Sequence, residues 1–321
     1  MDKNNIQLTI EKVYEKYKNN QEGHLASYIP ELATADPNDF GIVIASESGR
    51  IFEIGDSRKE FTIQSISKAF TYGFAVEAYG LEKVLKHVGI EPSGDAFNSI
   101  FLQKDTNRPF NPMVNAGAIT IAALLYDYYG DESFEFLLDR FSTAAGRQLT
   151  LDKKVYESEL KTGHRNRAIG HLLLNFGMIG DHVDNYLDLY FKQCSILVNC
   201  HDLAMMSATL ANLGTQPLTQ KEVYQFSTVK DILSIMLTCG MYDYSGEWAF
   251  RVGVPAKSGV GGGVIASVNR QVGFAVYSPK LDQRGNSVRG INVCIDLANE
   301  FGLHTFDCMN HGSDYLKAIM K

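Results

Sequence analysis

Ser65 and Lys68, spaced as Ser65-Ile66-Ser67-Lys68, are the residues of this chain best placed for covalent chemistry. On a helix, positions three apart share a face, so a neutral lysine there can take the hydroxyl proton and make the serine a nucleophile for acyl transfer. Against a reference near 10.4, a neutral lysine at pH 7 costs about 4–5 kcal/mol, supplied by desolvation and a nearby cation or dipole. The pattern is common: Ser158-Glu159-Leu160-Lys161 and Ser227-Thr228-Val229-Lys230 also match it. Setting separates the three. Ser65 opens a mostly apolar helical stretch (Ile66, Ala69, Phe70, Phe74, Ala75, Val76) directly after a hairpin, and the free N–H groups of a helix N-terminus help bind an oxyanion. Lys161 and Lys230 lack that setting and are expected in solvent. A second element of this chemistry, K-[ST]-G, occurs at Lys161-Thr162-Gly163 and at Lys257-Ser258-Gly259. Only the latter leads into a strand, so it is the copy expected beside the nucleophile's helix.

Other chemistries find no support. There is no GxxxxGK[ST], HExxH or GxSxG, and Gly259-Val260-Gly261-Gly262-Gly263 fails GxGxxG because position 264 is Val. No metal or other cofactor is expected, and isolated histidines such as His171 and His182 read as packed or surface residues. The 321 residues are 45% hydrophobic and 21% charged, which excludes disordered and collagen-like classes. A net charge of −7 without a Lys/Arg block argues against nucleic-acid or anionic-membrane partners. The longest near-apolar stretch, residues 116–126, falls well short of the roughly 20 residues that span a bilayer. The N-terminal residues alternate charge and apolar character, unlike a secretory signal. Five cysteines (Cys194, Cys200, Cys239, Cys294, Cys308) without a CxxC read as reduced thiols, mostly in the core. A soluble, cytoplasmic protein is expected.

The elements that must position these groups follow from periodicity. A helical stripe runs through Ile6, Ile10, Val13 and Tyr17. Residues 40–45 and 51–54 read as a hairpin around Ser48-Gly49-Arg50. Helices are expected over 66–87, 115–129, 133–144, 166–178, 183–195, 201–213 and 229–239. Strands return at 264–268 and 271–277, joined at Asn269-Arg270 with Asn as the turn residue, and helices follow over 287–301 and about 311–320. Strands at the two ends of the chain most economically share one antiparallel sheet, because neither hairpin is stable alone. The expected fold is therefore α+β: a discontinuous sheet lobe (1–64 and 245–321) covered by the terminal helices, with a mainly helical lobe (65–244) inserted and the active site between them.

In addition, the chain resembles the serine-dependent glutaminases, whose fold is of the β-lactamase/transpeptidase-like type. The resemblance spans nearly the whole chain. It rests on seven collinear segments, among them Tyr28-Ile29-Pro30-Glu31-Leu32-Ala33, Gln64-Ser65-Ile66-Ser67-Lys68, and Pro109-Phe110-Asn111-Pro112-Met113-Val114-Asn115-Ala116-Gly117-Ala118-Ile119. Ser158-Glu159 with Arg165-Asn166, Tyr190, Cys239-Gly240-Met241-Tyr242-Asp243, and Pro255-Ala256-Lys257-Ser258-Gly259-Val260-Gly261-Gly262-Gly263 complete the set.

The resemblance implies hydrolysis of L-glutamine to L-glutamate and ammonia through a γ-glutamyl ester on Ser65, with Lys68 as base and Tyr242 relaying protons. Glu159 would pair with the substrate ammonium; its plain alternative is a helix-surface glutamate. Asn115, Asn166 and Tyr190 would hold the polar head. For Asn115 the alternative is a helix N-cap, and for Tyr190 an aromatic on an amphipathic stripe. Tyr28 would be a further pocket tyrosine, and the N–H groups of Ser65 and Val260 would hold the oxyanion. The glycines around Val260 let the main chain approach the substrate. Gly163 reads only as loosening a helix end. The family's dimers and tetramers make a homo-oligomer the expectation. Two competing functions on the same fold are a penicillin-recognising serine hydrolase and a non-catalytic glutamine-binding protein. The first acts outside the cytoplasm, and the second has no need of Ser65 and Lys68.

Overall fold

The computed structural model describes residues 3–27, 29–94 and 99–307. A five-stranded antiparallel sheet combines the two ends of the chain, as expected. Its strands are β1 (Gly41–Ser46), β2 (Ile51–Gly55), β6 (Ala256–Ser258), β7 (Gly263–Val268) and β8 (Val272–Tyr277), in the order β2-β1-β8-β7-β6. The register pairs Ile42 with Val276 and Ile44 with Phe274 across β1 and β8.

Side chains alternate across a strand, and here both faces are apolar. Ile42, Ile44, Val264, Ala266, Phe274 and Val276 point to one core with Ile10, Val13, Trp248, Val293 and Leu297. That core is roofed by α1 (Lys3–Tyr17) and α12 (Val288–Phe301), together with α11 (Ser245–Arg251). Val43, Ala45, Ile265, Ala275 and Tyr277 point the other way, into the larger helical core. The helix lying on that face is α9 (Cys200–Ala211). Its start is set by a capping box between Asn199 and Asp202, a device worth about 1 kcal/mol per cap. The approach is close because β8 carries Gly273, where a Cβ would stand 2.1 Å from the Ala208 amide nitrogen.

A second, three-stranded sheet joins β3 (Phe61–Thr62), β5 (Ile196–Val198) and β4 (Thr150–Leu151), with β5 central. The other helices are α2 (Ser67–Tyr79), α3 (Leu81–His87), α4 (Asn115–Tyr129), α5 (Ser133–Ala145), α6 (Lys153–Thr162), α7 (His164–Asn175), α8 (Val183–Cys194) and α10 (Phe226–Cys239).

Four details differ from expectation. The helix expected over 66–87 is two, broken where Gly80 takes φ 78°. α6 was not foreseen: Asp152 caps it by accepting from the Lys154 and Val155 amides, but its inward face carries Ser158 and Glu159 beside Val155, so no apolar stripe announces it. α11 is likewise additional. In the β7–β8 turn the left-handed residue is Arg270 (φ 60°), not Asn269; the Arg270 amide donates to the Ala211 carbonyl at the end of α9, which holds the unusual conformation in place. The helix expected over 311–320 and Cys308 lie outside the described residues. Cys194, Cys200, Cys239 and Cys294 are buried free thiols. Among the described residues no helix is long and apolar enough to cross a membrane, and no group of His, Cys, Asp and Glu is arranged to hold a metal ion.

Candidate active site

Ser65 sits in a single 3-10 turn, Gln64–Ile66, that precedes α2. The strand leading to it is anchored by β3–β5 pairing and by the Ile63 amide donating to the Ile196 carbonyl (2.9 Å). Gln64 is held at φ 49°, a conformation disfavoured for non-glycine residues and persisting only where the surroundings enforce it. Ser65 is buried (6% exposed), and one turn on, Lys68 is fully so.

Lys68 Nζ donates to Asn115 Oδ1 (2.6 Å) and to the Met113 carbonyl (3.3 Å). Burial pushes its ammonium down to about 8, against the opposing pull of Cys194 and Glu159. The neutral lysine that nucleophile activation demands is therefore accessible near neutral pH. Asn115 does not cap α4; Val114 stands at that position. Its side chain instead bridges Lys68 to Asn166, donating from Nδ2 to Asn166 Oδ1 (2.9 Å).

Glu159 is no surface glutamate. It is 6% exposed on α6. Burial raises its carboxyl to about 7, partly offset by Lys68. Its side-chain carboxylate makes no hydrogen bond or ion pair with the described residues, and Lys68 acts on it through space. A buried carboxylate without a counter-ion is costly and suits the capture of a cation. Glu159 and Asn166 flank Gly163, where α6 turns into α7. A Cβ there would lie 2.6 Å from the Phe191 ring, so Gly163 does more than loosen a helix end: it lets the corner close against α8. Tyr190 on α8 is buried, with Lys68 Nζ 5.9 Å from its ring centroid. It thus faces the cluster as well as belonging to a buried stripe.

Tyr242 approaches from the other side, in the 3-10 turn Tyr242–Tyr244 and itself at φ 57°. Its phenol donates to the Ser258 carbonyl (3.2 Å). Burial pushes it up to about 12, and a hydrogen bond with Ser65 acts in the opposite sense. At neutral pH it is a proton-bearing phenol beside the Ser65 hydroxyl. Among the described residues Ser65 is joined to Tyr242 rather than hydrogen-bonded to Lys68.

Val260 lies in the turn between β6 and β7, and its N–H makes no hydrogen bond to the described residues. This turn sits on the segment leading to Ser65. A Cβ at Gly259 would come within 2.9 Å of the Ile63 carbonyl oxygen, and one at Gly261 within 2.8 Å of the Thr62 oxygen. Side chains here would lift Val260 away from the serine. Tyr28 lies outside the described residues.

The lysine of the K-[ST]-G segment also belongs to this cluster. Lys257 is fully buried on β6, donates to the Ser258 carbonyl (2.7 Å), and lies 4.2 Å from the Tyr242 ring centroid. Burial first, then the charge of Lys68, holds its ammonium well below the lysine range. Its signal was present: the K-[ST]-G pattern at the start of a strand. A cavity of about 370 Å³ opens on Tyr242, Met113 and Asn111. A larger groove of about 1140 Å³ beside α10 and the β7–β8 turn contains none of these residues.

The glutaminase family profile matches residues 23–306. This chain belongs to the glutaminase family. A glutaminase of Nostoc sp. is 51% identical over 304 residues, covering 95% of this chain and 91% of the relative. Among solved structures, a probable glutaminase superposes with a TM-score of 0.92 at 38% identity, covering 95% of this chain and 99% of that one. Mglu in its tris and glutamate form gives 0.91 at 39%, covering 96% and 69%. The β-lactamase-like fold expected from the sequence is the fold of this glutaminase-family protein.

Proposed function

We propose that this glutaminase-family protein is an L-glutamine amidohydrolase that forms a γ-glutamyl ester on Ser65. The observation that carries the reading is the buried Glu159 carboxylate, without a hydrogen bond or ion pair among the described residues, acting through space on Lys68 of the Ser65–Lys68 pair. A substrate with an α-ammonium and a side-chain amide satisfies both. The relative solved with glutamate bound supports the same product.

Glu159 pairs with the α-ammonium by a charge-assisted contact. Asn115, Asn166 and Tyr190 hold the polar head and present the carboxamide, with Tyr28 a further pocket tyrosine. Lys68, as its neutral amine, takes the Ser65 proton while Oγ attacks the amide carbon. The Ser65 and Val260 N–H groups receive the developing oxyanion. Tyr242 delivers a proton to the departing nitrogen and is reprotonated at the expense of the Lys68 ammonium, so ammonia leaves rather than an amide anion and Lys68 is neutral again for deacylation. Water then adds to the ester and returns Ser65. Lys257 fixes the Tyr242 ring and the carbonyl that its hydroxyl contacts. The reaction needs no cofactor. We place the site between the sheet lobe (1–64 and 245–321) and the helical lobe (65–244). The free buried thiols suit a reducing cytoplasm, and family resemblance supports a dimer or tetramer.

Purified protein is to be assayed for ammonia and glutamate from L-glutamine, with L-asparagine as control and Ser65→Ala as variant. Turnover on glutamine, with a loss of about 10³-fold or more in the variant, is expected. Binding without turnover would favour a glutamine-binding protein. Turnover that survives in Ser65→Ala would exclude the serine ester.

A further inference from the structure

Both acceptors that hold Lys68 Nζ, the Met113 carbonyl and Asn115 Oδ1, come from the short turn leading into α4. Asn111 shapes that turn. Pro112 has no N–H to give, and Asn111 Oδ1 reaches past it to accept from the Met113 amide (3.0 Å) and the Val114 amide (3.2 Å). The same side chain donates from Nδ2 to the Glu91 carbonyl (2.8 Å), so it is anchored at both ends. Its exposure is 2%. The turn is also pressed onto the helix it precedes: a Cβ at Gly117 would stand 2.0 Å from the Asn111 carbonyl oxygen. With residues 111–114 clamped in this way, the Met113 carbonyl and the Asn115 side chain take one fixed relation to each other. Asn111 itself bonds to residues 91, 113 and 114 and to none of the reacting side chains.

We infer that Asn111 is a positioning residue for the reaction: through the turn it closes, it fixes the two acceptors that aim Lys68 at Ser65. The inference deepens the proposed amide hydrolysis and rests on that reading. Losing the Oδ1 acceptor frees two amides, lets the turn relax, and lets Lys68 drift from the serine, while Glu159 and Asn166 stay where α6 and α7 hold them. Acylation should suffer most, and substrate affinity, which Asn115 shares with Glu159, Asn166 and Tyr190, only modestly.

The test compares wild type, Asn111→Ala and Asn111→Ser on L-glutamine. Steady-state kcat and KM are measured, and rapid quench follows the first ammonia released, which reports acylation alone. Circular dichroism gives the folded fraction at the assay temperature. For Asn111→Ala the expected loss in kcat and in the first ammonia is about 10- to 100-fold, the scale on which small misplacements act, with KM within about threefold. A serine hydroxyl makes the same type of local bond to following amides, so Asn111→Ser should recover roughly fivefold or more of that loss. The inference is overturned if folded Asn111→Ala keeps wild-type acylation, if activity falls only with the folded fraction, or if serine rescues nothing. Should Asn111→Ala not fold, Asn111→Ser decides alone: slowed acylation at unchanged KM supports the inference, and wild-type acylation contradicts it. An inactive wild type would instead sink the underlying hydrolase reading.

Discussion

The 3-10 turn entering α2 and the second half of α6 carry the same four-residue pattern, serine and lysine three apart, and they differ in what surrounds the lysine. At Ser65–Lys68 both residues are buried, and the lysine is drawn into acceptors from a different helix. At Ser158–Lys161 the serine is buried but the lysine lies in solvent. At Ser227–Lys230 both residues are exposed, and Lys230 lies 3.2 Å from the Asp231 carboxylate. What separates the copies is desolvation, a tertiary property that the motif itself does not encode. α6 nevertheless serves the site, through Glu159, the residue after its serine.

The comparison can be broken first at its strongest point. Lys68→Met keeps the volume and removes the amine; kcat/KM on L-glutamine should fall by about 10³-fold or more, whereas Lys161→Met should leave it unchanged within about twofold. Comparable losses at both positions would mean that burial does not distinguish the motifs.

Glu159→Gln comes next. Removing the ammonium's counter-ion should raise KM and lower kcat/KM by about 10²-fold, the scale of a buried charge-assisted contact. Stability should move the other way at high pH. The folded carboxyl titrates near 7, above its ordinary 4.5. Between those values the native state holds a proton that the unfolded state has lost, so this group's contribution to stability falls as pH rises through that window. Glutamine has no proton to lose. The Tm of wild type relative to Glu159→Gln should therefore drop as pH is raised from about 4.5 to 7 and then level off. A Tm difference independent of pH would show that Glu159 is not desolvated as described.

The smallest expected effect is on the acid limb of kcat/KM. Lys68 must be neutral and Glu159 ionised in the free enzyme, so activity should rise with pH through the range of about 7 to 8 set by these two groups. An acid limb confined to the ordinary carboxylate range near 4.5 would contradict both assignments.

Much of this architecture was legible in the sequence because it rests on local patterns. The β-branched runs of β1, β7 and β8 announced the sheet, and Ser65, Lys68 and Tyr242 sat in segments whose resemblance is specific. What escaped did so for physical reasons. α6 turns Ser158 and Glu159 inward beside Val155, and hydrophobic periodicity is blind to a buried polar face. For Asn115 a cap stood as the alternative to substrate binding because it precedes small helical residues, and in the structure Lys68, 47 positions away, claims its oxygen. Arg270 takes the left-handed position on the strength of one bond to the end of α9. Lys257 and Asn111 matter through what they hold in place, which only the packed structure displays.

The most direct test of the central claim is intact-protein and peptide mass spectrometry of enzyme quenched in acid during turnover of L-glutamine. A glutamyl adduct confined to the peptide carrying Ser65, absent in Ser65→Ala and absent with L-asparagine, is the predicted result. Full turnover with the adduct on another residue, or no adduct even when deacylation is slowed at low temperature, would contradict the account.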